Sequence, residues 1–199
     1  MNATHGAAVL SAAALSFFAL VGAAVAADAE AGRQKAQVCA ACHGPDGNST
    51  NPAMPSLAGQ PAQMIAMQLF QFREGNRKDP QMTPMAANLS NADLNDLAAF
   101  FSAQKSAPPV HKASAESAAA APALAQKYNC VQCHGPKLLG QQHIPRLAGQ
   151  QHEYLKKQLL GFKAGTRADM DGNMTSAAEP LTQKDIDVLA DYLAGLGAP

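Results

Sequence analysis

The chain contains no tryptophan, and aromatic residues make up only 5% of it. Side chains alone therefore offer little bulk with which to fill a core. No charge of one sign is in excess either. Fifteen lysines and arginines stand against 15 aspartates and glutamates, for a formal net charge of zero. Nothing in that balance recommends a nucleic-acid partner, which would call for a basic stripe, and none is expected. Cysteine is scarce as well: there are four, and all of them lie in two short motifs. With 47% hydrophobic residues among 199, the chain is still globular rather than disordered, and its length suits one or two small domains.

The two motifs are Cys39-Ala40-Ala41-Cys42-His43 and Cys130-Val131-Gln132-Cys133-His134. Cys-x-x-Cys alone is compatible with half a zinc site or a redox dithiol, but neither needs a histidine directly after each pair. Cys-x-x-Cys-His lets two thiols add across the vinyl groups of a haem while the adjacent imidazole reaches the iron. The expected cofactors are two covalently attached haems c, held at Cys39, Cys42, Cys130 and Cys133 and ligated by His43 and His134. Their propionates would make the loaded protein mildly acidic.

Residues 7–26 form an uncharged apolar run that ends in Ala24-Val25-Ala26, ahead of Ala27-Asp28. This has the form of a secretory segment with an Ala-x-Ala cleavage site, so residues 1–26 read as a signal peptide. Residues 1–6 depart from that pattern in having no lysine or arginine. The alternative is a retained membrane anchor, since the run is nearly long enough to span a bilayer. Export suits the cofactor, because attachment of c-type haem is expected in the periplasm of a Gram-negative cell.

Self-similarity organises the remainder. Each pentapeptide is followed by Gly-Pro and then by a Pro-x-Leu-Ala-Gly-Gln segment, Pro55 to Gln60 and Pro145 to Gln150, at nearly equal distances. Next come helical stripes, Ile65, Leu69 and Phe72 in one half and Leu155, Leu159 and Phe162 in the other, each ending near a glycine, Gly75 or Gly165. Ser90 with Asp93, and Thr182 with Asp185, resemble capping boxes for the final helices. Leu94, Leu97 and Phe101 there match Ile186, Leu189 and Leu193 as buried stripes. Shorter helices are expected before each motif, over about residues 30–38 and 123–129. Residues 107–122, rich in proline, alanine and serine without an apolar period, read as a surface linker. The domains are then 27–106 and 123–199.

The residue opposite each histidine decides whether the iron is open to small molecules or closed by a thioether. Of eight methionines, Met82 and Met174 stand at the same distance before Leu89 and Leu181, and each is followed by threonine. These are the candidate sixth ligands. Met85 is the rival in the first half, but its counterpart is Ala177, so it reads as packing. His143 lies near the second motif, yet it aligns with Ala53 and reads as a surface residue. A ligating histidine donates its other ring N–H to an acceptor, and Pro55 and Pro145 are candidates to present that carbonyl.

Paired motifs at matched spacing, paired Pro-x-Leu-Ala-Gly-Gln segments, a late methionine in each half and an exported precursor resemble the tandem dihaem cytochrome c-four family. The resemblance covers essentially residues 28–197. It implies an all-α fold of two cytochrome c domains related by a pseudo-twofold axis, with His43/Met82 and His134/Met174 as axial pairs and the Pro55 and Pro145 carbonyls as histidine acceptors. It further implies neighbouring haems whose propionates meet at the domain interface. Arg77 and Arg167, equivalent in the repeat, are candidates to balance those propionates, the alternative being solvated surface arginines. The implied activity is outer-sphere electron transfer rather than catalysis. By the same resemblance the donor would be a quinol-oxidising cytochrome complex and the acceptor a haem–copper terminal oxidase, with loose association at the membrane.

Two other classes remain in view: the cytochrome subunit of a flavoprotein sulfide dehydrogenase or another dehydrogenase, and a dihaem peroxidase. The peroxidase needs an iron without a thioether, which the symmetric methionines oppose. Each half has about 80 residues, a size at which a side-chain core alone is marginal. The haem-free protein is therefore expected to be largely unfolded; far-UV circular dichroism of apoprotein should show no cooperative melt, and a native-like melt would refute the coupling.

Overall fold

The computed structural model describes Met1 and residues 26–197. The first half begins where the Asp28 side chain accepts from the N–H groups of Glu30 and Ala31, capping α1 (Ala29–Lys35). A 3-10 turn (Ala36–Val38) leads into α2 (Ala40–His43), followed by α3 (Ala62–Arg73), α4 (Met82–Ala86) and α5 (Asn91–Ala103). The second half repeats the order with α6 (Ala115–Lys127), α7 (Cys130–His134), α8 (His152–Lys163), α9 (Asn173–Ala178) and α10 (Gln183–Gly195). Among the described residues the only β pairing is an isolated bridge between Gln141 and Ile144. The fold is all-α, as predicted. Residues 2–25 of the segment read as a signal peptide lie outside the described residues, and no helix among those described is long and apolar enough to cross a membrane.

In each half the last helix is the platform. α1 and α3 pack on α5, and α6 and α8 pack on α10. The predicted stripes supply the contact: Leu94, Leu97 and Phe101 on α5, and Ile186, Leu189 and Leu193 on α10, are all buried. Ile65, Phe72, Leu155 and Phe162 are buried opposite them, with Leu69 and Leu159 partly covered. Each such side chain contributes about 1.5–3 kcal/mol on full burial. The first crossing is close enough to demand glycine, since a Cβ on Gly32 would lie 2.0 Å from the Asp96 carbonyl oxygen. In the second half alanine suffices at the crossing, where Ala121 and Ala125 are fully buried.

Helix ends follow their sequence signals. Gly75 and Gly165 take left-handed φ values of 72° and 67° just beyond the caps of α3 and α8. Ser90 and Thr182 each form a reciprocal capping box with Asp93 and Asp185.

The segment between the halves departs from expectation. Residues 107–122 were read as linker and a short helix was placed over 123–129, but α6 already starts at Ala115. Ser114 accepts from the Ser117 N–H, and the following alanines favour helix. Its buried face is Ser117, Ala121 and Ala125, small residues that leave no apolar period to read, and Pro122 sits on the exposed side. What remains without regular structure is residues 105–114. This strap is tied at both ends. Asn48 accepts from the Ala107 N–H and donates to the Lys105 carbonyl, whereas Asp191 accepts from the Ser114 N–H and pairs with His111 at 2.6 Å.

The halves also complete each other's helices. α3 and α8 have no side-chain N-cap, and each donates one of its orphan N–H groups across the interface. Met64 N–H meets the Gln142 carbonyl at 3.1 Å, and Tyr154 N–H meets the Pro52 carbonyl at 3.0 Å. The two contacts are equivalent in the repeat and define a pseudo-twofold interface.

Asp93 links a cap to an ion pair, because Lys35 at the end of α1 lies 2.6 Å from it. Lys35, and then Ser90, lower the Asp93 carboxyl to about 2. A depressed carboxyl stabilises the fold above its unfolded value of 3.8, and that stability is lost as the pH falls through about 2. The melting temperature followed by circular dichroism should therefore drop between those two values, and less steeply in Asp93→Asn. Ser90→Ala should cost about 1 kcal/mol.

Candidate haem and metal-ligand sites

Cys39 leads into α2, so Cys42 and His43, three and four residues on, share one face of a single helical turn with it. Cys130, Cys133 and His134 do the same on α7. This is the structural reason for the spacing: both thiols and the imidazole present themselves on one side. All four cysteines are free of disulfides. Cys39 and Cys130 are half-buried, and burial pushes both thiols up; Cys42 and Cys133 are exposed. The chain leaves each motif through Gly44 (φ 79°, ψ 158°) and Gly135 (φ 81°, ψ 161°), a region essentially restricted to glycine.

His43 and His134 are buried, at 6% and 3% exposure. Each places Nδ1 2.8 Å from a proline carbonyl oxygen, Pro55 for His43 and Pro145 for His134. Donation by Nδ1–H to that carbonyl leaves Nε2 with the lone pair, the tautomer a metal needs. Burial lowers both imidazole pKa values, against the opposing pull of the carbonyl bond, so the rings stay neutral. The prolines are framed the same way in both halves. The Gly47 carbonyl accepts from the N–H groups of Leu57 (2.7 Å) and Ala58 (3.0 Å), and the Leu138 carbonyl from those of Leu147 (2.8 Å) and Ala148 (3.1 Å). Gly59 and Gly149 then donate to the Phe101 and Leu193 carbonyls, both at 2.9 Å, which pins the segment to the platform helix.

Met82 and Met174 are half-buried in the first turns of α4 and α9. A carboxylate holds each in place: Asp79 accepts from the Met82 N–H at 3.1 Å, and Asp169 from the Met174 N–H at 2.7 Å. Thr83 and Thr175 bind these same aspartates, through the Asp79 N–H and the Asp169 carboxylate respectively. The sequence reading passed over Asp79 and Asp169, although Arg-x-Asp recurs at Arg77-Lys78-Asp79 and Arg167-Ala168-Asp169. Met174 packs against the same apolar cluster as Cys130. Met85, read as packing, is instead 49% exposed.

Arg77 and Arg167 meet at the interface between the halves. Arg77 donates to Gln68 of its own half and, across the interface, to the Tyr154 hydroxyl (3.2 Å) and Gln158 (3.1 Å). Arg167 donates to Gln158 in its own half and to Gln68 across the interface. Each guanidinium lies over a phenylalanine of its own half, Arg77 on Phe72 at 4.5 Å and Arg167 on Phe162 at 4.3 Å. Burial lowers Arg167 to about 10, and its Nε is buried with no partner. Two cations this close, with an unsatisfied buried donor, call for an anion. The carboxylates of haem are anions of that kind, and the residues present fit the group.

Arg146 is a further buried cation that the repeat did not reveal, because Ser56 occupies its place in the first half. Its guanidinium donates to the Ala58 carbonyl of the first half at 2.9 Å and to the Ala148 carbonyl, and its Nε is buried without a partner. Burial lowers its pKa. Its main chain is gripped by Gln60, just as Gln150 grips the main chain of Ser56.

Outside the motifs, His111, His152 and Asp191 cluster. The two imidazoles stack with planes only 3° apart. Lone pairs in parallel planes do not converge on one metal, so the arrangement is a stacked strap anchor rather than a ligand set.

The cytochrome c family model matches residues 29–105 and again 111–197. Cytochrome c4 of Pseudomonas aeruginosa is 40% identical over 181 residues, covering 86% of this chain and 90% of that protein. The crystal structure of reduced recombinant cytochrome c4 from Pseudomonas stutzeri superposes with a TM-score of 0.81 at 38% identity, over 86% of this chain and all of that one. The chain belongs to the dihaem cytochrome c4 family. It carries two covalently attached haems c, one in each half of the repeat. A thiosulfate dehydrogenase electron acceptor of Thiomonas intermedia is also similar, 36% identical over 172 residues, covering 80% of this chain and 79% of that protein.

Proposed function

We propose that this cytochrome c4 family member carries electrons between redox proteins of the periplasm and performs no chemistry on a bound substrate. The observation that carries the reading is the duplicated environment: in both halves a buried histidine spends Nδ1 on a proline carbonyl, and a carboxylate-held methionine recurs at the equivalent place. His43 and His134 would hold the iron through Nε2, and Met82 and Met174 would supply the second protein ligand in each half. Haem, once bound, supplies a one-electron iron couple whose potential the surrounding protein sets. Pro55 and Pro145 fix the imidazole orientation, while Arg77, Arg167 and Arg146 neutralise propionates. Redox partners would meet the sites through small, transient interfaces.

Residues 1–26 would direct export and be removed, leaving two haem-binding units joined through the strap of residues 105–114. The proposed donor is a quinol-oxidising cytochrome complex, and the proposed acceptor a haem–copper terminal oxidase. The similarity to a thiosulfate dehydrogenase electron acceptor favours a second reading, in which a periplasmic dehydrogenase is the donor. Reduction of the purified protein by each donor in stopped flow separates the two.

Ligand replacement tests the closed sites. The oxidised protein should show a thioether-to-iron charge-transfer band, of which Met82→Ala and Met174→Ala each remove about half by eliminating one of two equivalent ligand sets. Full intensity in either variant would sink the assignment.

A further inference from the structure

Two buried glutamines do something that their place in the repeat does not announce. Gln60 and Gln150 end equivalent Pro-x-Leu-Ala-Gly-Gln segments and are 2% and 5% exposed. Each turns its amide away from its own half. Gln150 Oε1 accepts from the Ser56 N–H at 2.7 Å, and its Nε2 donates to the Ser56 carbonyl at 2.9 Å. Gln60 Oε1 accepts from the Arg146 N–H at 2.9 Å, and its Nε2 donates to the Arg146 carbonyl at 3.0 Å.

The Ser56 N–H belongs to the same peptide group as the Pro55 carbonyl, and the Arg146 N–H to that of the Pro145 carbonyl. Each peptide therefore accepts from an imidazole at one end and donates to a glutamine of the other half at the other end. The chain runs from His43 Nδ1 to Pro55 O, through the peptide to Ser56 N, and on to Gln150 Oε1. Its twin runs from His134 through the Pro145–Arg146 peptide to Gln60.

Hydrogen bonds in such a chain polarise one another, by about 10–30% per bond. Donation at the N–H end makes the carbonyl a stronger acceptor, and a stronger acceptor at Nδ1 makes the imidazole more basic at Nε2. A more basic ligand favours the ferric over the ferrous state.

We propose that Gln150 lowers the reduction potential of the haem in the first half and Gln60 that of the haem in the second, each as a positioning residue acting across the interface. The proposal rests on the reading of His43 and His134 as iron ligands. Linkage makes the effect reciprocal: oxidation on one side strengthens the glutamine clamp, so the redox state of either half is felt in the contact between them.

The test uses full-length holoprotein carrying Gln150→Met or Gln60→Met, with each haem titrated through its own haem-methyl proton resonances. Gln150→Met should shift the reduction equilibrium of the haem at Cys39 and Cys42 about threefold toward ferrous, which at about 59 mV per tenfold is a rise of ~30 mV. The other haem should move by less than half as much, and Gln60→Met should reverse the assignment. In ferrous protein the Nδ1 proton of His43 should shift upfield in Gln150→Met alone, and that of His134 in Gln60→Met alone. A shift of the haem in the mutated half at least half as large as that of the other haem, or no shift of either, would overturn the proposal. Should a methionine variant fail to take up haem, Gln150→Glu keeps an acceptor on the Ser56 N–H and should shift the first haem toward ferric more than the second. Equal shifts or none would overturn it again. Absence of histidine Nδ1 protons from both sites of the unmodified ferrous protein would instead overturn the ligation reading.

Discussion

A buried imidazole must settle one of its nitrogens before it can offer the other, and in this protein both settle on a proline carbonyl. Nearly everything around His43 and His134 serves that bond. A proline has no N–H to satisfy, so its carbonyl can be presented beneath a ring without leaving a donor orphaned alongside it. The Gly47 and Leu138 carbonyls each gather two N–H groups from the segment that follows, and Gly59 and Gly149 tie the same segment to the platform helix. The carbonyl is thus located relative to both the haem-attachment turn and the core. Displacing α5 or α10 would displace the acceptor, and with it the direction in which Nε2 points. The tandem architecture doubles this arrangement and then locks each copy with the other.

The attachment motifs were legible because their chemistry demands a fixed spacing, and one helical turn delivers it. The stripes on α3, α5, α8 and α10 were legible because large apolar residues at helical period have few alternatives. α6 was misread at its start for the converse reason: its buried positions are Ser117, Ala121 and Ala125, and small residues leave no hydrophobic signature even where packing is tight. Asp79 and Asp169 were present in the repeat but carried no motif of their own. Arg146 was hidden by the repeat itself, since comparison with Ser56 marks it as a variable site. The reach of Gln60 and Gln150 spans 86 and 94 residues of sequence, and no local pattern reports a contact at such separation.

The halves are equivalent in framework and unequal in charge. Arg146 adds a buried guanidinium to the second site where the first has a serine hydroxyl, and Leu138 adopts a left-handed φ of 57° where the first half has Gly47. A single buried cation carried by one half, whose guanidinium bonds the Ala58 carbonyl of the first half and the Ala148 carbonyl of the second, gives the two sites different electrostatic surroundings. Two sites in one molecule then need not share a potential, which is a useful property in a carrier that must accept from one partner and deliver to another.

The crossed contacts also bear on how such a chain can change over generations. A substitution at Gln60 is registered in the second site and one at Gln150 in the first, so neither half can drift alone. The grip, however, is on main-chain atoms, and the side chains at the gripped positions are left out of it. Ser56 and Arg146 have accordingly become different residues, while the two residues that hold them are both still glutamine. Where one half reads the backbone of the other rather than its side chain, the residue that is read is free to differ.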